Sequence, residues 1–279
     1  MRNLKKLSVL LLSAAMCVGL VGCGKKESSV KEDPNVLKVG MEAGYAPYNW
    51  TQKDDSNGAA PIQGSSEYAG GYDVMMAKKV ADSLGKKLVV VKTDWQGLPP
   101  AVQSGKIDLI MAGMSPTAKR KQEVDFTSPY WVSDYVVIVK KDGKYANAKS
   151  INDFKGAKIT GQLNTIHYDK IDEMPGVQKV EAMSDFPQMR VALQSGIIDG
   201  YIAEAPEGQS VTAVMPEFKV ITFEPGNGFE IKDHENEIAA AVKKGSDLKE
   251  KVNQVFDKVS KEERLQMMQE AIKVQPVNN

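Results

Sequence analysis

Two stretches of the sequence are near-duplicates: LPPAVQSGKIDLIMA at residues 98–112 and MRVALQSGIIDGYIA at residues 189–203. They share seven of fifteen positions, including the run QSGxID. Each predicts a short helix, a stop at a glycine (Gly105 or Gly196) and then a buried strand. The duplication therefore predicts two similar lobes, each with one copy.

The segments before and after the first copy alternate between strand and helix patterns. Leu37 to Met41 is predicted as a strand. Asp73 is predicted as the N-cap of a helix that has one apolar face, and this helix ends at Gly85. The run Leu88 to Val91 has the continuous apolar character of a buried parallel strand. These elements predict an α/β sheet in the first lobe.

The second lobe repeats the alternation. Lys158 to Gly161 is predicted as a strand, and a helix is predicted to start near Thr165. Val177 to Val180 is predicted as a further strand. The apolar runs Tyr135 to Lys140 and Ile238 to Lys243 are predicted as the strands on which the chain crosses between the lobes. The expected architecture is α/β, two-lobed, with a hinge of two crossover strands.

These crossings give the expected lobe boundaries. The first lobe comprises residues 35–133 and 238–279, and the second comprises residues 134–237. Residues 247–272 are rich in helix formers and predict one or two C-terminal helices that pack on the first lobe. Their core-facing stripe consists of Leu248, Val252, Val255, Phe256, Val259 and Leu265.

The N-terminus has the pattern of a signal peptide at residues 1–22, with basic residues followed by an apolar stretch too short to span a bilayer comfortably. The small residues before Cys23 resemble the lipobox of bacterial lipoproteins. That resemblance implies cleavage before Cys23 and a lipid on its thiol, whereas an ordinary secretory peptide with an incidental cysteine is the alternative. Residues 23–34 are polar and predict a flexible tether.

Composition excludes several classes of protein. Lysine plus arginine equals aspartate plus glutamate at 36 each, which argues against a dedicated nucleic-acid binder. Two cysteines and two histidines argue against a Cys-rich metal site or a His-based zinc motif. We therefore expect neither a metal nor a cofactor.

Two lobes joined by crossover strands form a cleft. Ligands of open α/β sheets bind beyond the carboxyl ends of the strands. The segments that follow the duplicated strands, Gly113 to Ser115 and Glu204 to Ala205, are therefore the first candidates for a site.

An ordered set of stretches resembles the amino-acid-binding branch of the solute-binding proteins of ABC importers, family 3, with the type II periplasmic-binding-protein fold. The resemblance implies a hinged, extracytoplasmic receptor that delivers a free amino acid to the permease subunits of an ABC transporter. It also implies a monomer, and the resemblance to a lipobox implies that the lipid on Cys23 anchors it to the cell membrane. The matching stretches are 39–50, 70–85, 104–120, 124–130, 153–165 and 195–204.

The resemblance assigns the ligand's α-carboxylate to Arg120, whose guanidinium fork suits a planar carboxylate. Ser115 is expected near the same group, and Thr165 is expected to hold it from the second lobe. The family commonly has Gly or Ser before that threonine, whereas this sequence has Asn164, a possible extra contact.

The remaining ligand groups are assigned in the same way. Glu204 corresponds to the residue that binds the α-ammonium, usually an aspartate, and the Gly113 carbonyl is a second acceptor. Tyr45 and Tyr72 match two aromatic residues that sandwich the ligand's side chain. Glu42 stands where lysine/arginine/ornithine binders have an acid that meets the distal cation.

Specificity is predicted from Glu42, because a buried carboxylate without a cation is costly. A cationic amino acid, arginine or lysine, is expected. Glutamine-binding relatives also have an acid at this position, so glutamine, cystine or another polar amino acid remains an alternative.

A different class of function is an enzyme on the same fold, such as a dehydratase of a cyclic amino acid. Only His167 and Glu204 offer an acid or base for it, and no catalytic motif supports it, so we expect a binding protein. A sensor acting through a separate partner is a third alternative. Trp50 and Trp95 are expected in the core, with the wall of the cleft as the alternative. The polar insert at residues 54–71 has no predicted role beyond connecting or edging the cleft.

Overall fold

The computed structural model describes residues 33–276 of the chain. The predicted signal peptide, Cys23 and the tether up to residue 32 lie outside the described residues. Within residues 33–276, no helix has both the length and the apolar character needed to cross a membrane.

Strands and helices alternate along most of the described chain. The strands are β1 Val36–Met41, β2 Gly44–Tyr45, β3 Asn49–Gln52, β4 Ala60–Pro61, β5 Tyr68–Gly70, β6 Lys87–Lys92, β7 Leu109–Ile110, β8 Val124–Val132, β9 Tyr135–Lys140, β10 Lys158–Thr160, β11 Gln178–Lys179, β12 Gly200–Glu204, β13 Phe218–Ile221 and β14 Glu237–Lys243. The α-helices are α1 Tyr72–Ser83, α2 Leu98–Gln103, α3 Ala118–Glu123, α4 Ile166–Asp169, α5 Phe186–Ser195, α6 Ala205–Val214, α7 Leu248–Phe256 and α8 Lys261–Val274.

Two five-stranded sheets have the same arrangement, with strand order β6-β1-β7-β14-β8 in the first and β11-β10-β12-β9-β13 in the second. In each sheet three parallel strands are followed by an antiparallel strand, β14 or β9. The first sheet is built from residues before 133 and after 236, and the second from residues between them. The chain therefore has the expected two-lobed α/β fold, in which each sheet with its helices forms one lobe.

The duplicated sequences occupy equivalent places in the two sheets. The carboxylate of Asp108 accepts a hydrogen bond from the backbone N–H of Lys38 at 2.8 Å, and that of Asp199 accepts one from Lys158, also at 2.8 Å. Gly105 and Gly196 both have φ near +79°, a conformation that suits glycine after a helix. The shared motif thus fixes the same helix-to-strand turn twice.

The chain crosses between the lobes on two adjacent segments. β8 ends at Val132 and β9 begins at Tyr135, while β14 carries the chain back. The backbone N–H of Ser133 donates to the carbonyl of Asn236 at 3.1 Å, so the two crossings are tied to each other.

The start of α1 differs from the prediction that Asp73 is its N-cap. Gly71 is the N-cap, and Asp73 is a buried residue of the first turn. Its carboxylate accepts hydrogen bonds from Asn49 Nδ2 at 2.8 Å and from the Tyr130 hydroxyl at 2.5 Å. Burial raises the pKa of Asp73 to about 7. The side chain therefore joins α1 to neighbouring elements instead of capping the helix.

The C-terminal segment forms two helices, α7 and α8, as predicted. α7 packs against β8 of the first lobe, whereas α8 contacts both α1 and α6 of the second lobe. The Gln275 side-chain amide donates to the carbonyl of Ser210 in α6 at 3.0 Å. Leu265, predicted on the core stripe, is instead 42% exposed.

The polar insert at residues 54–71 contributes β4 and β5 to a small antiparallel sheet of order β2-β3-β5-β4. Trp50, on β3 of this sheet, is buried. The insert also pairs with the first large sheet through a bridge between Ile62 and Val90.

Candidate functional site

A small cavity lies between the two large sheets. It is formed where β1, β10 and β12 end and where the chain leaves β7, which is where ligands of parallel sheets bind. Its lining residues come from both lobes and are Glu42, Tyr45, Trp95, Ala112, Gly113, Ser115, Arg120, Gln162, Thr165, Ile166, His167 and Glu204.

Arg120 is the cation of this cavity. It lies in the short helix α3, whose N-cap Thr117 accepts a hydrogen bond from the Arg120 backbone N–H. Its Nη1 donates to the Ser115 carbonyl at 2.9 Å, and its Nη2 to the Asn164 carbonyl of the other lobe at 3.2 Å. Burial lowers the pKa of Arg120 to about 10, so the guanidinium stays charged at neutral pH.

Asn164 connects the two lobes through its backbone. Its φ of +60° is a left-handed conformation that asparagine tolerates better than most residues. Its carbonyl also accepts a hydrogen bond from Trp95 Nε1 at 3.2 Å, and the Trp95 ring lies 4.9 Å from the guanidinium carbon of Arg120. The second lobe therefore meets the first at the same place where the cation sits.

Glu204 is the acidic group on the second-lobe side. Burial raises the pKa of its carboxyl to about 8. The Tyr45 hydroxyl donates to its Oε2, and His167 Nε2 lies 2.9 Å from the same oxygen. Gly113 adjoins Tyr45 and has a φ of +63°; a side-chain Cβ at this position would lie only 3.0 Å from the Tyr45 ring. Both features favour glycine there.

Glu42 is the acidic group on the first-lobe side, directly after β1. Its carboxylate accepts a hydrogen bond from Gln162 Nε2 of the second lobe at 2.8 Å. Burial, reinforced by the negative charges of Asp185 and Asp94, raises the pKa of Glu42 to about 8. Three carboxyl groups therefore lie near one another here, and that of Glu42 is largely protonated at neutral pH.

Of the predicted site residues, the structure brings Glu42, Tyr45, Gly113, Ser115, Arg120, Thr165 and Glu204 to the cavity. Asn164 reaches it through its carbonyl. Thr165 is buried, and its hydroxyl donates to the Gln162 carbonyl at 2.7 Å.

Tyr72 does not line the cavity. It is fully buried in the first lobe, where its hydroxyl donates to the Tyr130 carbonyl at 2.8 Å. Tyr45 stacks on Phe186 with ring centroids 4.0 Å apart and also on Tyr48 at 5.0 Å. The expected sandwich of a ligand side chain between Tyr45 and Tyr72 is therefore not the arrangement in this structure, in which the Tyr45 hydroxyl faces Glu204.

Sequence reasoning misses Gln162, and it leaves open whether Trp95 lies in the core or at the cleft wall and whether His167 faces the cleft. Trp95 borders the cavity, and Gln162 reaches Glu42 from the other lobe. Position offers the only usable signal, since both residues follow a strand at its carboxyl end.

The site combines one fixed cation with two buried carboxyl groups and backbone carbonyls. This set complements a small zwitterion, whose carboxylate requires N–H donors and whose ammonium requires acceptors. Within residues 33–276, no cluster of three or more His, Cys, Asp or Glu side chains is arranged to hold a metal ion.

Comparison with known proteins identifies similar chains. Residues 37–272 match the family described as bacterial extracellular solute-binding proteins, family 3. A probable histidine-binding protein of Campylobacter jejuni is 30% identical, over 88% of this chain and 93% of the relative. The arginine-binding extracellular protein ArtP of Bacillus subtilis is 30% identical over 61% of each chain.

A solved structure is similar as well. It is an amino acid ABC transporter substrate-binding protein from Streptococcus pneumoniae, bound to L-arginine. The two chains superpose with a TM-score of 0.74 at 27% identity, over 86% of this chain and 95% of the other.

Proposed function

The chain belongs to the bacterial extracellular solute-binding proteins, family 3, and on that basis we propose that its cavity binds a cationic amino acid, arginine or lysine. It is an extracytoplasmic amino-acid-binding protein of the ABC-transporter type, and it is a binding protein, not an enzyme.

The environment of Glu42 is the observation that carries the choice of a cationic side chain. Burial and the nearby Asp94 and Asp185 disfavour the ionised form of Glu42, so without a ligand its carboxyl group is largely protonated at neutral pH. An ammonium or guanidinium group there allows Glu42 to ionise. The arginine-bound structure and the relative named as arginine-binding support the same proposal.

The other ligand groups are proposed to bind to the remaining polar residues of the same cavity. Arg120 takes the α-carboxylate, together with Ser115 and Thr165. Glu204 takes the α-ammonium, with the Gly113 carbonyl as a second acceptor.

Binding is proposed to proceed by closure of the first lobe (residues 35–133 and 238–279) on the second (residues 134–237). Several contacts that cross between the two sheets depend on closure, namely Glu42 with Gln162, Trp95 with Asn164, and Tyr45 with Phe186. A ligand that adds contacts to both lobes shifts the population toward the closed form. The permease of an ABC transporter is the proposed recipient of the amino acid.

Attachment to the membrane is proposed through a lipid on Cys23, after removal of residues 1–22. Its support is the sequence pattern that resembles a lipobox.

A thermal-shift panel tests the proposed ligand class. The purified protein is unfolded and refolded to remove bound ligand and then heated with arginine, lysine, ornithine, citrulline, glutamine or cystine. At 1,000 times its dissociation constant a ligand stabilises by about 4 kcal/mol, or roughly 10 °C for a chain of this size. The largest shift is expected with arginine, lysine or ornithine. A larger shift with glutamine or cystine contradicts the cationic assignment, and no shift with any amino acid contradicts the receptor assignment.

A further inference from the structure

His167 is a buried side chain in the cavity whose hydrogen bonds are incomplete. It lies in the first turn of α4, two residues after Thr165, and is only 6% exposed. Among the described residues, neither ring nitrogen has a partner with hydrogen-bond geometry, although Nε2 is 2.9 Å from Glu204 Oε2. An unsatisfied buried polar group is costly, so a conformation or ligand that completes its bonds is favoured.

The position of the imidazole ring is set by its neighbours. Tyr135 of β9 and Phe186 of α5 each contact it edge to face, with ring centroids 5.8 Å apart in both cases. Burial, and secondarily the charge of Arg120, lowers the pKa of His167 to about 3. The ring is therefore neutral at physiological pH, with one N–H donor and one acceptor.

Two side chains meet Glu204 at the same oxygen. The Tyr45 hydroxyl and His167 Nε2 both approach Oε2. Because both groups approach Oε2, Oε1 is the oxygen that neither of them approaches. The carboxylate is thereby oriented before the ligand arrives, which reduces the entropy lost on binding.

We propose that His167 is a positioning residue for Glu204: its Nε2–H donates to Oε2 and, together with Tyr45, directs Oε1 at the α-ammonium of the amino acid. The inference rests on the proposed function, because it assumes that Glu204 binds the ammonium. In this proposal His167 acts only through Glu204 and does not need to contact the ligand.

The test compares two ligands that differ only at the α-position. L-arginine has an α-ammonium, and 5-guanidinovaleric acid has the same carboxylate and guanidinium without it. In His167→Phe, the dissociation constant of L-arginine is expected to rise about tenfold, the usual cost of a hydrogen bond to a charged group. That of 5-guanidinovaleric acid is expected to change less than about twofold.

Three further variants separate positioning from a general structural role. His167→Gln retains an N–H donor and is expected to recover most of the affinity for L-arginine. In Glu204→Gln, adding His167→Phe is expected to cause no further loss, because the group it positions is already altered. His234→Phe is the matched control: this exposed histidine also lies 3.0 Å from a glutamate, Glu237, but is outside the cavity, and its loss is expected to leave binding unchanged.

An equal loss of affinity for both ligands in His167→Phe, or no loss for either, overturns the inference. So does an additive loss in the Glu204→Gln background. Failure of the wild-type protein to bind L-arginine instead overturns the proposed ligand. The same variants are then compared with L-glutamine and its analogue without the amino group, glutaramic acid.

Discussion

Replacing Arg120 with methionine is expected to weaken binding of L-arginine about a thousandfold. The substitution keeps an unbranched side chain but removes the cation that faces the ligand's carboxylate in a buried site. Removing one partner of such a pair costs about 3–5 kcal/mol, and every 1.4 kcal/mol is a factor of about ten in the dissociation constant. Arg120→Lys is expected to lose less, because it keeps the charge but not the fork of donors.

Titration calorimetry with L-arginine and L-argininamide measures this effect. The amide lacks the carboxylate charge, so it is expected to bind the wild-type protein weakly and to be almost unaffected by Arg120→Met. The thermal unfolding of ligand-free Arg120→Met is the control for folding. Equal losses for L-arginine and L-argininamide contradict the assignment of Arg120 to the carboxylate.

Affinity for L-arginine is expected to rise steeply with pH between 6 and 8. Burial raises the pKa of both Glu42 and Glu204 to about 8, so both are largely protonated at pH 6 in the ligand-free protein. The ligand's two cations bind their ionised forms, so binding releases protons. With a pKa of about 8, the ionised fraction of each group grows about 50-fold from pH 6 to pH 8, and the dissociation constant falls accordingly.

Stability of the ligand-free protein is expected to change in the opposite direction. A carboxyl group whose pKa is higher in the folded than in the unfolded chain stabilises the folded chain at low pH. That contribution is lost as the pH rises from about 4.5 to about 8.

Calorimetry in buffers of different ionisation enthalpy counts the protons released on binding. We expect up to two in the wild-type protein and one fewer in Glu42→Gln, whereas a pH-independent dissociation constant contradicts the ionisation of either group on binding.

The duplicated motif shows how much of the fold could be predicted from the sequence. QSGxID occurs twice because the same turn and buried strand are needed in two sheets, and Asp108 and Asp199 receive equivalent backbone hydrogen bonds. Strand positions followed from local apolar patterns. The buried position of Asp73 could not be predicted from local patterns. Its hydrogen-bond partners Asn49 and Tyr130 come from elements distant in sequence, and only packing brings them together.

The sequence indicated which charged residues lie at the cavity, and Tyr45 among the aromatic residues, but it did not decide the places of Tyr72 and Trp95. Arg120, Glu204 and Glu42 stand beyond strand ends, in motifs with a specific order. Tyr72 and Trp95 are both large aromatic residues near such ends, and nothing local tells which of them faces the cleft. The structure turns Tyr72 toward Tyr130 and leaves Trp95 at the cavity, which is a result of packing over the whole lobe.

Calorimetric titration of the wild-type protein with L-arginine and with L-citrulline tests the central claim most directly. Citrulline has nearly the shape of arginine but carries a neutral urea group in place of the guanidinium. We expect citrulline to bind at least about tenfold more weakly, because its neutral urea leaves Glu42 protonated and lacks a charge-assisted hydrogen bond worth about 1.5–3 kcal/mol. We also expect Glu42→Gln to remove most of that difference. Equal affinities for arginine and citrulline in the wild-type protein would contradict the claim that Glu42 selects a cationic amino acid.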